Sequence, residues 1–120
     1  MIDEHCIFCK IIKGIIPSKK YFENDSFLAF FDINPISKNH IVFISKNHYE
    51  NLNEMPDSEW QQFIVEGRVI AEKLAKEINA DGYNLMINQG RAADSVVNHR
   101  PHMHIIPRYF NDNLKIDPRN

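Results

Sequence analysis

The chain has 120 residues, 43% hydrophobic and 11% aromatic, which suits one compact domain with its own core and argues against disorder. Its formal net charge of -2 excludes a broad basic surface for long nucleic acid. No apolar run nears the roughly 20 residues of a membrane span, and the acidic start Met1-Ile2-Asp3-Glu4 does not read as a secretory leader, so a cytoplasmic protein without membrane partners is expected.

In chain order, Ile7–Ile12 reads as a short apolar helix closed by Gly14. Residues 20–23 read as a strand and Asn24-Asp25 as a tight turn. Residues 27–33, dense in aromatics, read as a second strand broken by Asn34-Pro35. Residues 40–46 form a third strand, apolar on both faces and therefore central. A long helix follows. Asp57 is its expected N-cap, and Trp60, Phe63, Ile64, Gly67, Ala71, Leu74, Ala75 and Ile78 recur at helical spacing on one face. Asp81-Gly82 ends this unit. Residues 83–88 are a fourth strand, 90–98 a loop of small and polar residues, and 101–108 an alternating fifth strand. Residues 111–120 read as a loose polar tail. Strands before and after one long helix predict an α+β domain: a mainly antiparallel five-stranded sheet with one long and one short helix. Residues 21–46 would be a meander covered on one face by the long helix.

Histidines stand at 5, 40, 48, 99, 102 and 104. Residues two apart on a strand share a face, so His102 and His104 point one way while Met103 and Ile105 face the core. Two imidazoles on one face make a site for an anion or a metal. A solvated histidine-rich strand is the plainer alternative, but surface histidines rarely sit between core-type residues. The two cysteines, Cys6 and Cys9, are too close in sequence to staple a large loop. In a reducing compartment that spacing points to metal or redox chemistry.

The stretch His102-Met103-His104-Ile105-Ile106-Pro107-Arg108 resembles the end of the histidine triad (HIT) signature, His-x-His-x-His followed by two apolar residues and often Pro-Arg. The resemblance runs along nearly the whole chain: Cys6-Ile7-Phe8-Cys9, Gly14-Ile15-Ile16-Pro17-Ser18, Phe31-Asp32-Ile33-Asn34-Pro35, His40-Ile41-Val42, Lys46-Asn47-His48 and Asn88-Gln89-Gly90 fall in family order. One departure stands out. An extra residue separates the first and second histidines, giving His-x-x-His-x-His from His99. Ser95-Val96 also stands where many members carry Gln followed by Ser or Thr. The resemblance implies a HIT-like fold, a single HIT domain over 1–120, and a homodimer paired through the long helix and a sheet edge.

It also implies chemistry at phosphorus. Phosphoanhydrides and phosphoramidates are kinetically resistant anions, and a neutral imidazole splits one hard displacement into two easier ones. The resemblance assigns that role to the middle histidine, His102, attacking a purine nucleotide or adenylylated small molecule to form a nucleotidyl-histidine. His104, Asn88 and Ser95 would donate hydrogen bonds to phosphate oxygens. Asp32 would accept from the ribose hydroxyls, with Phe8, Phe31 and Ile33 against the base and His40 as the family's extra buried histidine. For the apolar three the alternative is core packing, and for His40 a satisfied core histidine.

Cys6-x-x-Cys9 is half of a zinc site, and the resemblance points to His48 and His99 to complete it. A closed Cys2His2 set is structural, since no ligand position stays open for water. His5 is a competing ligand, and two free buried thiols are the alternative. Two rival functions remain: a purine nucleotide-binding or sensing module with little turnover, and a zinc-dependent hydrolase using the histidines as catalytic ligands.

Overall fold

The computed structural model describes residues 5–93, 95 and 97–116. Its elements are α1 (Ile7–Ile12), β1 (Lys20–Glu23), β2 (Phe27–Phe31), β3 (Ile41–Ser45), α2 (Asp57–Ile78), β4 (Gly82–Ile87) and β5 (His102–Arg108), with 3₁₀ turns at Leu52–Glu54 and Arg91–Ala93. The five strands form one antiparallel sheet in the order β1-β2-β3-β5-β4. The fold is the expected α+β arrangement, and β1, β2 and β3 form a meander.

Local chemistry explains the early elements. The Cys6 Sγ caps α1 by accepting the Cys9 N–H at 3.3 Å. Gly14 takes φ +79 just beyond the helix end, a backbone region open to glycine. Asn24 Oδ1 accepts from the backbone N–H of Ser26 and Phe27 at 2.9 and 2.7 Å, closing the β1–β2 turn. The second strand stops at Phe31, short of the expected Ile33, because Asp32 begins the turn toward Pro35.

The sheet is buried on both sides. Phe27, Ala29, Ile41, Phe43, Met103 and Ile105 meet Phe63, Ile70, Ala71 and Leu74 of α2. Leu28, Phe30, Val42 and Ile44 meet Cys6, Phe8, Cys9 and Ile11 around α1. Phe43 and Phe63 stack with centroids 4.7 Å apart.

Two expectations for α2 need correction. The N-cap is Pro56, not Asp57. Proline's fixed φ suits that position, and the Pro56 carbonyl accepts the Trp60 N–H at 2.9 Å. Asp57 instead places its charge in the first turn, where the helix dipole favours it. Ile64 is not on the buried stripe; it is exposed with Val65 and Val69, while Ile70 takes the buried position. The helix ends at Ile78 with Asn79 in the left-handed region, and Gly82 opens β4. Gly67 allows α2 to approach β5 closely: an added Cβ would lie 2.7 Å from Met103 Sδ. Beyond β5, Asp112 accepts from Arg108 and from the N–H of Tyr109 and Leu114, holding the chain in a turn. Residues 117–120 of the expected tail lie outside the described residues.

Candidate active site

Strand β5 lies between β3 and β4, so its side chains alternate between the two buried faces. Met103 and Ile105 go to the α2 side. His102 and His104 take the opposite face, opposite Ile44 and Val42 in the β3 register. Their rings lie 5.4 Å apart at 86°. Phe8 packs edge-on against His102, with centroids 5.3 Å apart.

Backbone groups dictate where each imidazole proton sits. His102 Nδ1 lies 2.7 Å from the His99 carbonyl, which can only accept, so Nδ1 carries the proton and Nε2 is left with its lone pair. The Ile36 N–H donates to His40 Nδ1 at 3.1 Å, which puts the His40 proton on Nε2. His40 Nε2 donates in turn to His104 Nδ1 at 3.0 Å. The remaining His104 proton therefore sits on Nε2. The pair thus offers one bare nitrogen and one N–H donor, both on imidazoles kept neutral. Burial lowers the proton affinity of His102 and His40 below the ordinary histidine value. Burial also pushes His104 down to about 4, helped by the closeness of His102 and His40, since charging one member of the group disfavours charging another.

A cavity of about 430 Å³ opens over this face. Phe8, Phe31, Asp32, Ile33, His102 and His104 all line it, so six of the residues singled out in the sequence come together. Asp32 is oriented by the Asn34 N–H, 2.8 Å from Oδ1, and its Oδ2 lies 3.8 Å from His40 Nε2. Ile33 stands at the rim, 87% exposed. His40 is buried behind His104 and does not line the cavity. Neither does Ser95, which is buried and receives the Arg100 Nε–H at 3.1 Å. Asn88 follows directly on β4, two residues after Met86, the register partner of His104.

A second cluster lies at the N-terminus of α1. Cys6 Sγ is 3.3 Å from His99 Nδ1, Cys9 Sγ is 3.3 Å from His48 Nδ1 and 3.6 Å from His99 Nδ1, and the two Nδ1 atoms are 3.2 Å apart. A tetrahedral zinc ion with ordinary Zn–S and Zn–N bonds requires ligand atoms about 3.3–3.8 Å from one another. His99 Nε2 donates to the Ser45 carbonyl at 2.7 Å, which leaves Nδ1 unprotonated and turned to the cysteines. Burial pushes the Cys6 thiol up to about 11, a thiol that a bound cation would convert to thiolate. The donor set and its spacing fit zinc. His5 is exposed and stands outside this group.

In the sequence Arg100 shows only as the residue at the first triad position counted back from Pro107-Arg108, which carries no hint of a role. Its peptide bond to Pro101 is cis, and the side chain is 6% exposed.

A five-stranded antiparallel sheet, one long helix and a paired-histidine face over a pocket define a histidine-triad type of nucleotide-handling domain. The HIT domain family matches residues 13–111, and the chain belongs to that family. It is 50% identical over 107 residues to an uncharacterised HIT-like protein of Methanocaldococcus jannaschii, covering 89% of this chain and 81% of that one. It is 41% identical to an adenosine 5'-monophosphoramidase of Saccharomyces cerevisiae, covering 89% of this chain and 65% of that protein. Among solved structures, a zinc-bound histidine triad family protein of Mycobacterium smegmatis matches with a TM-score of 0.86 and 35% identity, over 93% of this chain and 81% of that one.

Proposed function

We propose that this chain is a nucleotidyl hydrolase or transferase that cleaves phosphoanhydride or phosphoramidate bonds through a covalent nucleotidyl-histidine. The observation that carries the reading is the His102 tautomer: its Nδ1 proton is held by the His99 carbonyl, and its bare Nε2 belongs to the pocket face. In the first step Nε2 attacks the α-phosphorus, an N–P bond forms, and the bond to the leaving amine or phosphate breaks as that group takes up a proton. In the second step water attacks the same phosphorus and releases a proton to solvent, balancing the one taken up by the leaving group, the N–P bond breaks, and the nucleotide leaves while His102 recovers its lone pair. His104 Nε2–H donates to the phosphoryl oxygens as charge builds on them, with Asn88 as a further donor; Ser95, buried against Arg100 and away from the cavity, is not used. Asp32 accepts from the ribose hydroxyls, and Phe8, Phe31 and Ile33 face the base. The yeast relative's phosphoramidase name supports a purine nucleotide or adenylylated small molecule as substrate.

Zinc in the Cys6, Cys9, His48 and His99 set is a structural element of this proposal, supported by the ligand spacing and by the zinc-bound neighbour. When bound it supplies a fixed tie between α1, the loop after β3 and the approach to β5. The whole chain is taken as a single HIT domain working as a cytoplasmic homodimer. Support for pairing comes from Ile64, Val65 and Val69 on α2 and Leu85 on the edge strand β4, all exposed. Among the described residues no helix is long and apolar enough to cross a membrane.

The test is adenosine 5'-phosphoramidate with AMP measured as product. Base-quenched wild-type protein mixed briefly with labelled substrate should carry nucleotide in an acid-labile linkage. Tight nucleotide binding with no AMP released would favour the sensing module and sink the enzyme reading.

A further inference from the structure

We propose that Arg100, one of the two residues between His99 and His102, is a positioning residue for the nucleophile. This rests on His102 being the attacking group. The Arg100 guanidinium makes four hydrogen bonds: Nε to Ser95 Oγ at 3.1 Å, Nη1 to the Glu50 carbonyl at 2.6 Å and to Asn98 Oδ1 at 2.7 Å, and Nη2 to the Ser95 carbonyl at 2.9 Å. Its main-chain N–H adds a bond to the Tyr49 carbonyl at 2.7 Å. Every one of these acceptors is a neutral oxygen. A buried cation surrounded by neutral acceptors costs desolvation that good geometry must offset, and a residue acting only as a spacer has no need of it.

The bonds tie together three stretches of chain that meet around His99. Tyr49 and Glu50 lie just beyond His48, on the loop leaving β3. Ser95 belongs to the loop after β4 and is itself held by the Gly90 carbonyl, 3.0 Å from its N–H. Asn98 and Arg100 flank His99 directly. The carbonyl between them is the one that holds His102 Nδ1–H at 2.7 Å. The Arg100 N–H shares the peptide plane of that carbonyl, so its bond to Tyr49, together with the four bonds of the side chain, fixes the direction in which the carbonyl points. Arg100 thereby fixes the tautomer and the aim of His102 without touching substrate. Lysine cannot reproduce this arrangement, because its single ammonium lacks the planar fork that reaches all three segments at once.

The experiment uses the full zinc-loaded chain and its Arg100→Ala and Arg100→Lys variants. Turnover of adenosine 5'-phosphoramidate in Arg100→Ala should fall about 10²-fold in kcat, with KM changed only a few-fold. Millimolar guanidinium should restore part of it. Imidazole ¹⁵N spectra should show one fixed Nδ1–H tautomer for His102 in the wild type and tautomer averaging in Arg100→Ala, with Arg100→Lys between them. Unchanged His102 spectra in both variants overturn the proposal, whatever happens to melting temperature or zinc content. If the alanine variant fails to fold, the lysine spectrum decides. A wild type that releases no AMP overturns the functional reading instead, and the His102 spectra still judge Arg100.

Discussion

The two histidines on β5 are assigned different tasks by backbone atoms that do not react. His102 is deprived of its proton at Nε2 by the His99 carbonyl, while His104 is given one there through His40. Replacing His102 with Asn should abolish AMP release and leave nucleotide binding in place, since Asp32 and the phosphate donors remain. Replacing His104 should lower kcat by about 10²–10³-fold, the usual effect of removing one donor to developing charge. Near wild-type turnover in His102→Asn would move the nucleophile to another histidine. The same burial makes folding sensitive to acid. His104 is held near 4 and His40 is also lowered, whereas both regain ordinary values near 6.5 when the chain unfolds. Below that value the unfolded state binds more protons. The stability these groups contribute is full above about pH 6.5 and falls as pH drops toward 4. Melting temperature followed across this window should decline; a flat profile contradicts the assignment. The histidine pair and its facing were legible in the sequence because strand periodicity is local. The proton positions and the role of Arg100 were not. The proton positions depend on how the His99 carbonyl folds back onto His102 and on His40, far from His104 in the chain, and Arg100 depends on the carbonyls of Tyr49 and Glu50.

At the scale of elements, hydrophobic alternation and turn residues made the strands and α2 readable, with ends shifted by a residue or two. Ile64 illustrates the limit. Helical spacing admitted it to the apolar face, but only the depth of the sheet decides how wide that face is. Gly67 illustrates another. Its position showed as a small residue on the buried stripe, and its purpose becomes clear only where Met103 fills the space a Cβ would need. Gly67→Ala should destabilise by about 1–3 kcal/mol, since Met103 is itself buried and must repack. Because Met103 sits between His102 and His104, the same change should also lower kcat. Chemical denaturation and steady-state kinetics on one preparation would check both. A stability loss with kcat untouched would mean that the strand absorbs the push.

For the whole molecule, two associations extend beyond the folded chain. Elemental analysis of protein purified without chelator should find about one zinc per chain. Removing it should lower the melting temperature while far-UV circular dichroism persists, because the core between the sheet and α2 contains none of the metal ligands. Cys6→Ser and His99→Ala should act the same way, through stability. Freely titratable thiols in the native, untreated protein would count against the site. Pairing should depend on the exposed apolar residues of α2. Val65→Lys or Ile64→Asp should shift sedimentation from dimer to monomer at micromolar concentration, and a wild type that is already monomeric there contradicts the dimer.

The sheet separates two compartments that share backbone but almost no side chains. Along β3, Ile41 and Phe43 belong to the side under α2, while Val42 and Ile44 belong to the side of the histidine pair. Phe27 and Ala29 alternate with Leu28 and Phe30 in the same way along β2. A saturation scan of these strands, scored separately for folded yield and for turnover, should therefore show a phenotype that switches with every residue. Substitutions at one parity would deplete protein and leave each surviving molecule fully active. At the other parity, molecules that survive would be slow. The pleat would then be visible in a table of yields and turnover rates, without any structural measurement at all.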